Sequence, residues 1–510
     1  MRSYRLDGMA ATSRFGRRLW RQATFIVGMG SAFVLVLAAT ASASVALTQV
    51  SADPFTNSTS QHATEVEPDT FANGSTILAV YQAGRFFNGG ASDIGYARSS
   101  NGGATWGVSG FLPGLTFNAG TFADPNSPYE RVSDPSVAYD ARHNVWMISS
   151  VPLLPDVTVP VIFVSRSTDG GAAFENPVQI SAPPTKKVNL DKNWTVCDNT
   201  SSSPYYGNCY TEFDNFGEGD LVYMSTSSDG GLTWSTPVAP PGNPKGIAGQ
   251  PLVQPSGTVL VPFRSLKGSI SVFSSTTGGQ SWTKETKVSR IIFHPQAGNL
   301  RSPPFPSAEL DGAGNVYVAW ADCRFRTKCA SDDIVFSKSS DGVNWSDVAR
   351  VPIDPATSSV DHFLPGLAVD RVTSGSGAHL ALTYYFYPDA ACTADTCELE
   401  AGYISSPDAG AHWGTPTTLT NAISLSDIAA TSQGAMVGDY ISTSFNDSGT
   451  ASTVIAVGLA HSGSRFDEGM WAPSSPLTVA SAAAATNVAS SDGVQVMTGF
   501  GPGQAAVHSR

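Results

Sequence analysis

The sequence predicts an all-β fold built from many short antiparallel strands, on three observations. The turn phrase "SSDGGLTW", which begins at Ser227, recurs so that six related copies lie along the chain. Each copy follows an alternating apolar run such as "LVYMSTS", which is typical of a strand entering a tight turn. The chain also scatters 49 glycines and 33 prolines between its apolar runs, as expected where many strands are joined by turns. The copies begin 48 to 68 residues apart, and a repeat of that size with several strands indicates propeller blades.

The repeated phrase is interpreted as a structural turn. Its Asp can accept backbone N–H bonds, its Gly can adopt a positive φ, and its final aromatic ring can pack against the strands. Such a unit holds a hairpin and has no catalytic geometry. The other copies are "SSNGGATW" from Ser99, "STDGGAAF" from Ser167, "STTGGQSW" from Ser275, "SSDGVNW" from Ser339 and "SPDAGAHW" from Ser406.

These phrases resemble the Asp-box, or BNR, repeat of the sialidase superfamily, and the resemblance covers about residues 60 to 420. It implies an Asp-box β-propeller. Beyond the last copy, "DYISTSF" from Asp439 and "TVIAVGLAH" from Thr453 indicate the inner half of another blade. The segment "SVALTQVS" from Ser44 can supply its outer strand and close the ring, which would remove exposed sheet edges. Seven blades are therefore preferred to six. The propeller is assigned to residues 44–473, and residues 474–510 to a low-complexity C-terminal tail.

Residues 1–43 read as a signal peptide. Arg17 and Arg18 precede an apolar run from Phe25 to Ala39, and small residues follow in an Ala-x-Ala pattern at Ala41 and Ala43. This order of basic, apolar and small residues is typical of a secretory signal. An uncleaved membrane anchor is the alternative. The cysteines agree with export to a secreted, extracellular location, since they form three close pairs, which favours disulfides over a zinc site. The pairs are Cys197–Cys209, Cys323–Cys329 and Cys392–Cys397.

The charge balance limits the partners of the mature chain. With 29 basic and 42 acidic residues the net charge is −13, which disfavours a nucleic-acid partner. No later run approaches membrane-spanning length, so stable membrane insertion after signal removal is not expected. A glycan or glycoprotein is the expected partner, and a monomer the expected state.

The candidate functional side chains lie on the face opposite the repeated turns. In a four-stranded blade those turns follow the third strand, so the starts of the innermost strands converge on the other face. Acidic residues stand at these starts, and arginines stand at the ends of second strands. They are Glu67, Asp134, Asp361 and Asp439, with Arg85, Arg264 and Arg324, and the start of the third inner strand adds Asp191 and Lys192 in "DKNW".

The resemblance to sialidases implies roles for some of these residues. It makes Tyr440 the nucleophile, Glu212 its polarising partner and Asp93 the acid, with the arginines as a clamp on the substrate carboxylate. The sequence departs from the family at its first blade. Sialidases carry Phe-Arg-Ile-Pro there, whereas this chain has "EVEP", from Glu65 to Pro68. Two carboxylates beside an anionic substrate would cost binding energy.

Three functions follow from this pattern. The first is an exported glycosidase of exo-sialidase type, which needs no cofactor. The second is a non-catalytic propeller that binds glycan or protein on the same face. Calcium is its candidate ion, held by Glu67, Asp134, Asp361 and Asp439, because oxygen-rich sites suit calcium. The third is a purely structural extracellular propeller.

Overall fold

The computed structural model describes residues 45–481. The proposed signal peptide, at residues 1–43, and the tail beyond residue 481 lie outside the described residues. Within residues 45–481 the chain forms 31 strands and six short 3-10 turns, with no α-helix. No helix in this part of the chain is long and apolar enough to cross a membrane. The all-β prediction is confirmed.

The strands follow one another in antiparallel groups. The first groups are β1 (Leu47–Gln49); β2 (Glu65–Asn73), β3 (Thr76–Arg85), β4 (Ala91–Ser99) and β5 (Val108–Phe111); β6 (Arg131–Asp140), β7 (Val145–Leu153), β8 (Ile162–Ser167) and β9 (Val178–Ile180); and β10 (Leu190–Cys197), β11 (Cys209–Asn215) and β12 (Leu221–Ser227). The next are β13 (Gly246–Ile247), β14 (Leu252–Val253), β15 (Val259–Ser265), β16 (Ser269–Ser275) and β17 (Thr286–Arg290); and β18 (Ser307–Leu310), β19 (Val316–Asp322), β20 (Asp333–Ser339) and β21 (Ala349–Arg350). The last are β22 (Asp361–Val369), β23 (Leu380–Tyr387), β24 (Glu398–Ser406), β25 (Thr417–Thr418) and β26 (Ile423–Ser424); the pair β27 (Ala430–Thr431) and β28 (Gly434–Ala435); and β29 (Ser442–Phe445), β30 (Ala451–Gly458) and β31 (Glu468–Pro473).

The six 3-10 turns lie in the connections between these strands. They are Gly120–Phe122, Phe216–Glu218, Ala297–Asn299, Thr327–Cys329, Gly375–Gly377 and Leu425–Asp427.

The innermost strands meet around one axial cavity of about 40 Å³, which is the arrangement of a β-propeller. The residues that line it come from the first strand of successive groups or lie directly beside it. They include Asp69, Val137, Thr195, Leu252, Ser307, Leu367 and Ser442. The prediction that distant parts of the chain are gathered around a shared axis is thus confirmed.

The ring closes where the two ends of the described chain meet. Strand β1 pairs antiparallel with β31, so the N-terminal segment supplies the outer strand that the sequence predicts. On the inner side the Thr70 hydroxyl lies 3.0 Å from that of Ser442, which joins the first group to the last. At the start of the segment assigned to the tail, Leu477 and Ala451 exchange both of their backbone hydrogen bonds at 2.8 Å.

The number of blades depends on how strands are counted. Five sheets have four strands or more, whereas the sequence predicts seven or six blades. Two features lower the count. A single pairing between Ala91 and Val132 fuses the groups β2–β5 and β6–β9 into one eight-stranded sheet. The group β10–β12 has three ladder strands, and an isolated bridge between Met224 and Val238 stands where the fourth would be.

The repeated turns have the predicted local structure. In the copy from Ser227, the Gly231 N–H donates to Ser227 Oγ at 3.0 Å, and Asp229 Oδ1 accepts from the Thr233 N–H at 2.9 Å. Gly231 has φ 79°, which favours glycine. The same serine-to-glycine bond occurs at Ser99–Gly103, Ser167–Gly171, Ser275–Gly279, Ser339–Gly342 and Ser406–Gly410.

The turns also join neighbouring groups. A Cβ on Gly231 would lie 2.9 Å from the sulfur of Met147, which is on β7 of the preceding group. Each turn therefore needs glycine because a side chain of the preceding group lies close to it, and because its φ is positive. All of them follow third strands, so they occupy one end of the axis. The opposite end, where the inner strands begin, is called the free face below.

The three predicted disulfides are present as Cys197–Cys209, Cys323–Cys329 and Cys392–Cys397. We expect their contributions to stability to follow loop length, because a longer closed loop removes more entropy from the unfolded chain. Replacing Cys197 and Cys209, separated by 12 residues, with alanine should lower the free energy of unfolding by about 3 kcal/mol. The same change at Cys392 and Cys397, separated by 5 residues, should cost about 2 kcal/mol. Urea unfolding of both variants measures this, and equal losses would contradict the loop-length account.

Candidate functional site

Strained backbone marks the free-face ends of several inner strands. Glu67, Asp134 and Lys192 have φ of 56°, 49° and 49°, and Ala248 and Leu364 share this conformation. Ladder register shifts at Val66/Asp69, Ser133/Ser136, Asp191/Trp194 and Phe363/Gly366. A side chain in the left-handed region costs about 1–2 kcal/mol, and such strain concentrates at functional sites. The bulges direct charged side chains from separate groups toward the axis.

Lys192 stands at the centre of these side chains. Its Nζ lies 2.6 Å from Asp439 Oδ2, 3.1 Å from Asp134 Oδ1 and 3.5 Å from Glu67 Oε1. All four side chains are at most 5% exposed. The Lys192 ammonium thus links the first three groups of strands to the last group, which contains β29. The axial charge cluster is defined here as Glu67, Arg85, Asp134, Asp191, Lys192, Arg301 and Asp439.

Two arginines complete the cluster. Arg301 grips Asp439 with two donors: its Nε lies 2.6 Å from Oδ1, and its Nη2 contacts Oδ2. Its side chain is 20% exposed, more than that of Lys192 or its three carboxylates, so the cluster reaches solvent beside Arg301. Arg85 is buried, and its Nη1 donates to Gln82 Oε1 and to the Gly90 carbonyl, each at 3.1 Å.

The carboxyl groups of the cluster have pKa values that are shifted in opposite directions. Burial raises the pKa of Glu67 to about 8 and that of Asp191 to about 7. Burial opposes ionisation of Asp134 as well, but the charge of Lys192 and the hydrogen bonds from Glu67, Asp191 and Lys192 together hold the pKa of Asp134 below its usual value. Burial likewise opposes ionisation of Asp439, yet Arg301 and Lys192 lower its pKa. Near neutral pH the cluster therefore holds a protonated Glu67 beside two ionised aspartates.

Tyr440 lies at the axis under this cluster. Its hydroxyl donates to the Pro135 carbonyl at 2.9 Å, and its ring packs edge-on against Trp194 with centroids 5.1 Å apart. Burial raises the pKa of the phenol well above its usual value, and the charge of Glu67 adds to this. Tyr440 is thus a neutral phenol that requires a base before it can act as a nucleophile.

Glu212, the predicted partner of Tyr440, belongs to a separate acidic row. It lies on β11 with its carboxyl against Gly249, where an added Cβ would meet it at 2.5 Å. Asp214 follows two residues later, and its cross-strand partner is Asp191 of the cluster. Burial raises the pKa of both Glu212 and Asp214 well above the usual carboxyl range. Among the described residues, the hydrogen bond of the Tyr440 hydroxyl goes to Pro135 and not to Glu212.

The other predicted residues are dispersed, so the structure corrects the three-arginine clamp. Arg324 is held by Asp322, with Nε 2.8 Å from Oδ1. Arg264 stacks on the Phe305 ring at 5.9 Å from its centroid. Asp93 lies on β4, the third strand of its group, and accepts the neighbouring Ile94 N–H. Asp361 accepts the Asp332 N–H at 2.6 Å and does not join the cluster.

The calcium arrangement predicted from Glu67, Asp134, Asp361 and Asp439 is also corrected. Asp361 lies elsewhere, and the Lys192 ammonium occupies the point at which the other three converge. Another group of acidic and histidine ligands in the described chain, Asp333, Asp354 and His362, pairs its carboxylates with Arg326 and Arg350. Neither set of donors fits a hard cation.

A hairpin covers the cluster from the free face. This cap hairpin, β27–β28 with its turn, spans residues 430–435 and precedes the last inner strand. The Arg301 N–H donates to the Ala435 carbonyl, and the Ser432 N–H donates to the Phe87 carbonyl, each at 2.8 Å. Met436, directly after the hairpin, places its sulfur 3.1 Å from Arg85 Nη2. The hairpin therefore connects the cluster to opposite sides of the ring.

Arg301 is the cluster residue that sequence reasoning missed. It stands before the inner strand β18, in "NLRSPPFPS". The prolines end the alternating pattern several residues before the strand. A positional signal was nevertheless available, since five of the other six inner strands carry charged residues at this point, the strand that follows Gln250 being the exception.

Comparison with known proteins gives remote similarities. No family model and no curated protein matches the sequence. Among solved structures, the chain is similar to the Hadza microbial sialidase Hz136 at 19% identity and TM-score 0.43, covering 64% of each chain. It is similar to a leech intramolecular trans-sialidase at 13% identity and TM-score 0.40, and the match covers 80% of this chain and 67% of that one. A polysaccharide lyase of family PL25, an ulvan lyase, matches at 12% identity and TM-score 0.47, and the match covers 84% of this chain and 95% of the lyase. The chain thus spans less than two thirds of the length of Hz136.

Proposed function

We propose that the protein is an exported propeller that acts on glycans, with the axial charge cluster as its reactive centre. The observation that carries the proposal is the separation of carboxyl pKa values within one cluster. Glu67, with a pKa of about 8, keeps a proton at neutral pH, while Asp134 and Asp439 have lowered pKa values and stay ionised. Neighbouring acids whose pKa values are driven apart are the usual sign of an acid and a base in glycoside hydrolysis.

The charge of the cluster favours an acidic sugar. Below about pH 7, Glu67 and Asp191 are neutral, so Arg85, Lys192 and Arg301 face only the two carboxylates of Asp134 and Asp439. One positive charge then remains for a ligand. Arg301 reaches solvent, and guanidinium groups bind carboxylates through paired hydrogen bonds. The substrate class is therefore a glycan that ends in a sugar acid, and the exo-sialidase type is the finer form of the proposal.

In this form Tyr440 attacks the anomeric carbon. Asp134 is assigned as the base because it is ionised and precedes Pro135, whose carbonyl accepts the Tyr440 hydroxyl, and the phenol proton moves to it as the bond to the anomeric carbon forms. Glu67 gives its proton to the departing glycosidic oxygen. These two residues take the roles that the resemblance assigned to Glu212 and Asp93, which lie outside the cluster. Access to Tyr440 and Glu67 requires displacement of the cap hairpin, because both side chains are buried, whereas Arg301 reaches solvent.

The test is release of a fluorescent aglycone from sialosides and uronides. The Tyr440→Phe variant should lose turnover by a factor on the order of 10³ or more. Tyr403→Phe is the matched control, because Tyr403 is also buried and its hydroxyl donates to a backbone carbonyl, that of Thr478 at 3.2 Å, far from the cluster. Full activity of Tyr440→Phe, or no release by the native protein, would reject the enzymatic proposal.

A second function, non-catalytic glycan binding, is favoured by one feature of the same site. The Tyr440 hydroxyl is engaged by the Pro135 carbonyl, and Arg301 is engaged by Asp439, so both groups already have partners. Binding of a sialylated or uronate glycan without release of product would support this function. Binding that is unchanged in an Arg301→Met variant would place the glycan elsewhere.

Three further properties belong to this proposal. We propose seven blades, because the groups β2–β5, β6–β9, β10–β12, β13–β17, β18–β21, β22–β25 and β29–β31 with β1 each contribute one innermost segment to the axis. A density map viewed along the axis would then show seven wedges. We also propose that the protein is secreted as a monomer after removal of residues 1–43.

A further inference from the structure

A second concave site lies at the seam where the ends of the described chain meet. This seam groove has a volume of about 600 Å³, within the range of small-molecule sites. Its wall includes the loop between β30 and β31 and the segment that precedes β2. The residues that define it here are Asp53, Glu65, His461, Arg465, Phe466 and Glu468.

Two buried carboxyl groups form its floor. Glu468 is 1% exposed, and its Oε2 accepts the Ala429 N–H at 3.0 Å. Its Oε1 has no hydrogen-bond partner among the described residues. Glu65 is 2% exposed and accepts from the Ser51 hydroxyl. A buried carboxyl oxygen without a partner is unfavourable, so Glu468 Oε1 is a place where a donor from a ligand would be stabilised.

The charge of the groove favours a cation. Asp53, Glu65, Asp467 and Glu468 all line it, and Arg465 is the one arginine or lysine among its lining residues. Asp53 is already satisfied by the N–H groups of Phe55 and Ala63. Burial raises the pKa of Glu65 to about 8, and the nearby charges of Asp53 and Asp467 add to this. Burial also raises the pKa of Glu468 well above its usual value, so both glutamates hold their protons in the empty groove near neutral pH. A positively charged ligand would take the place of these protons and pair with the carboxylates that form.

An aromatic platform stands beside this floor. The rings of His461 and Phe466 lie 4.7 Å apart, and the Phe466 N–H donates to the His62 carbonyl at 3.1 Å, which fixes the platform to the opposite wall. An aromatic face provides apolar contact and attracts cations. A bare metal ion would use neither the platform nor the volume of the groove, whereas a ring that carries an ammonium group would use both.

We propose that the seam groove binds a protonated amino sugar, with its ammonium on Glu468 Oε1 and Glu65 and its ring against Phe466. This inference does not depend on activity at the axial charge cluster.

The test is calorimetric titration of the full chain with glucosamine, N-acetylglucosamine and glucose. Glucosamine should bind at least tenfold more tightly than the two neutral sugars, because only it carries an ammonium group. Glu468→Gln should abolish this preference. Glu398→Gln, a change at an exposed acid on β24, should leave it unchanged.

Several outcomes would overturn the proposal. These are equal binding of the three sugars, no binding of glucosamine, or displacement of glucosamine by calcium chloride at matched ionic strength. If Glu468→Gln fails to fold, Phe466→Ala provides a second variant and should weaken glucosamine binding about tenfold. Tyr440→Phe should bind glucosamine as the native protein does, so failure at the axial charge cluster is distinguishable from failure at the seam groove.

Discussion

Replacing Lys192 with methionine is expected to lower the free energy of unfolding by about 3–5 kcal/mol, the usual cost of removing one partner from a buried ion pair. The Lys192 ammonium lies within 3.5 Å of oxygens on Glu67, Asp134 and Asp439. Methionine preserves the length of the side chain but removes the charge, which leaves two ionised aspartates buried with less compensation. Urea unfolding at pH 7 measures the loss.

The matched control is Lys267→Met. Lys267 also forms an ion pair, with Glu285, but its side chain is 73% exposed. Surface pairs contribute about 0–1 kcal/mol, so this variant should stay near the native stability. A loss below about 1 kcal/mol for Lys192→Met would show that the cluster does not hold the inner strands together. Combining Lys192→Met with Asp439→Asn should recover part of the loss, because fewer charges then remain unpaired.

The fold was predictable because its signals are local. The turn phrase encodes a serine-to-glycine bond and a positive φ within five residues, and both recur in the structure at Ser227–Gly231 and its counterparts. The closing strand β1 was also predictable, since an edge must be covered. The number of blades was harder to predict, because it depends on long-range pairings such as Ala91 with Val132, which no local pattern encodes.

The candidate site was predictable in position and only partly in composition. Inner strands begin on the free face, so Glu67, Asp134 and Asp439 converge as expected. Which of the other charged residues reach the axis depends on whether a neighbouring side chain binds them first. Arg324 is captured by Asp322, only two residues away, and therefore cannot clamp a ligand at the axis. Arg301 was missed because the prolines that follow it hide the start of its strand. Neither effect follows from alternation or spacing.

The stability of the protein is expected to fall as pH rises from about 5 to 8. Burial raises the pKa of Glu65 to about 8 and that of Asp69 to about 7. The folded protein therefore keeps protons on these groups that the unfolded chain releases above about pH 4–5. Wherever the folded state binds more protons, stability decreases with pH, by about 1.4 kcal/mol per unit for each such group.

The lowered pKa values of Asp134 and Asp439 have the opposite effect on stability, and they act at a lower pH. Asp134 and Asp439 have pKa values below the usual carboxyl range, so their contribution is present above about pH 4 and is lost as pH falls below it. Together the two sets of carboxyl groups place the maximum of stability near pH 5. Urea unfolding at pH 4, 5, 6, 7 and 8 should show a rise to this maximum and a decline beyond it.

The variant Glu65→Gln isolates one group in this profile. Glutamine keeps the shape and a hydrogen-bond acceptor for Ser51 but cannot release a proton, so the decline between pH 5 and 8 should become shallower by about 1.4 kcal/mol per pH unit. Glu398→Gln, at an exposed acid, should leave the slope unchanged. A profile that is flat or rises between pH 5 and 8 would mean that Glu65 and Asp69 are ionised in the folded protein, and therefore that water or a cation reaches them.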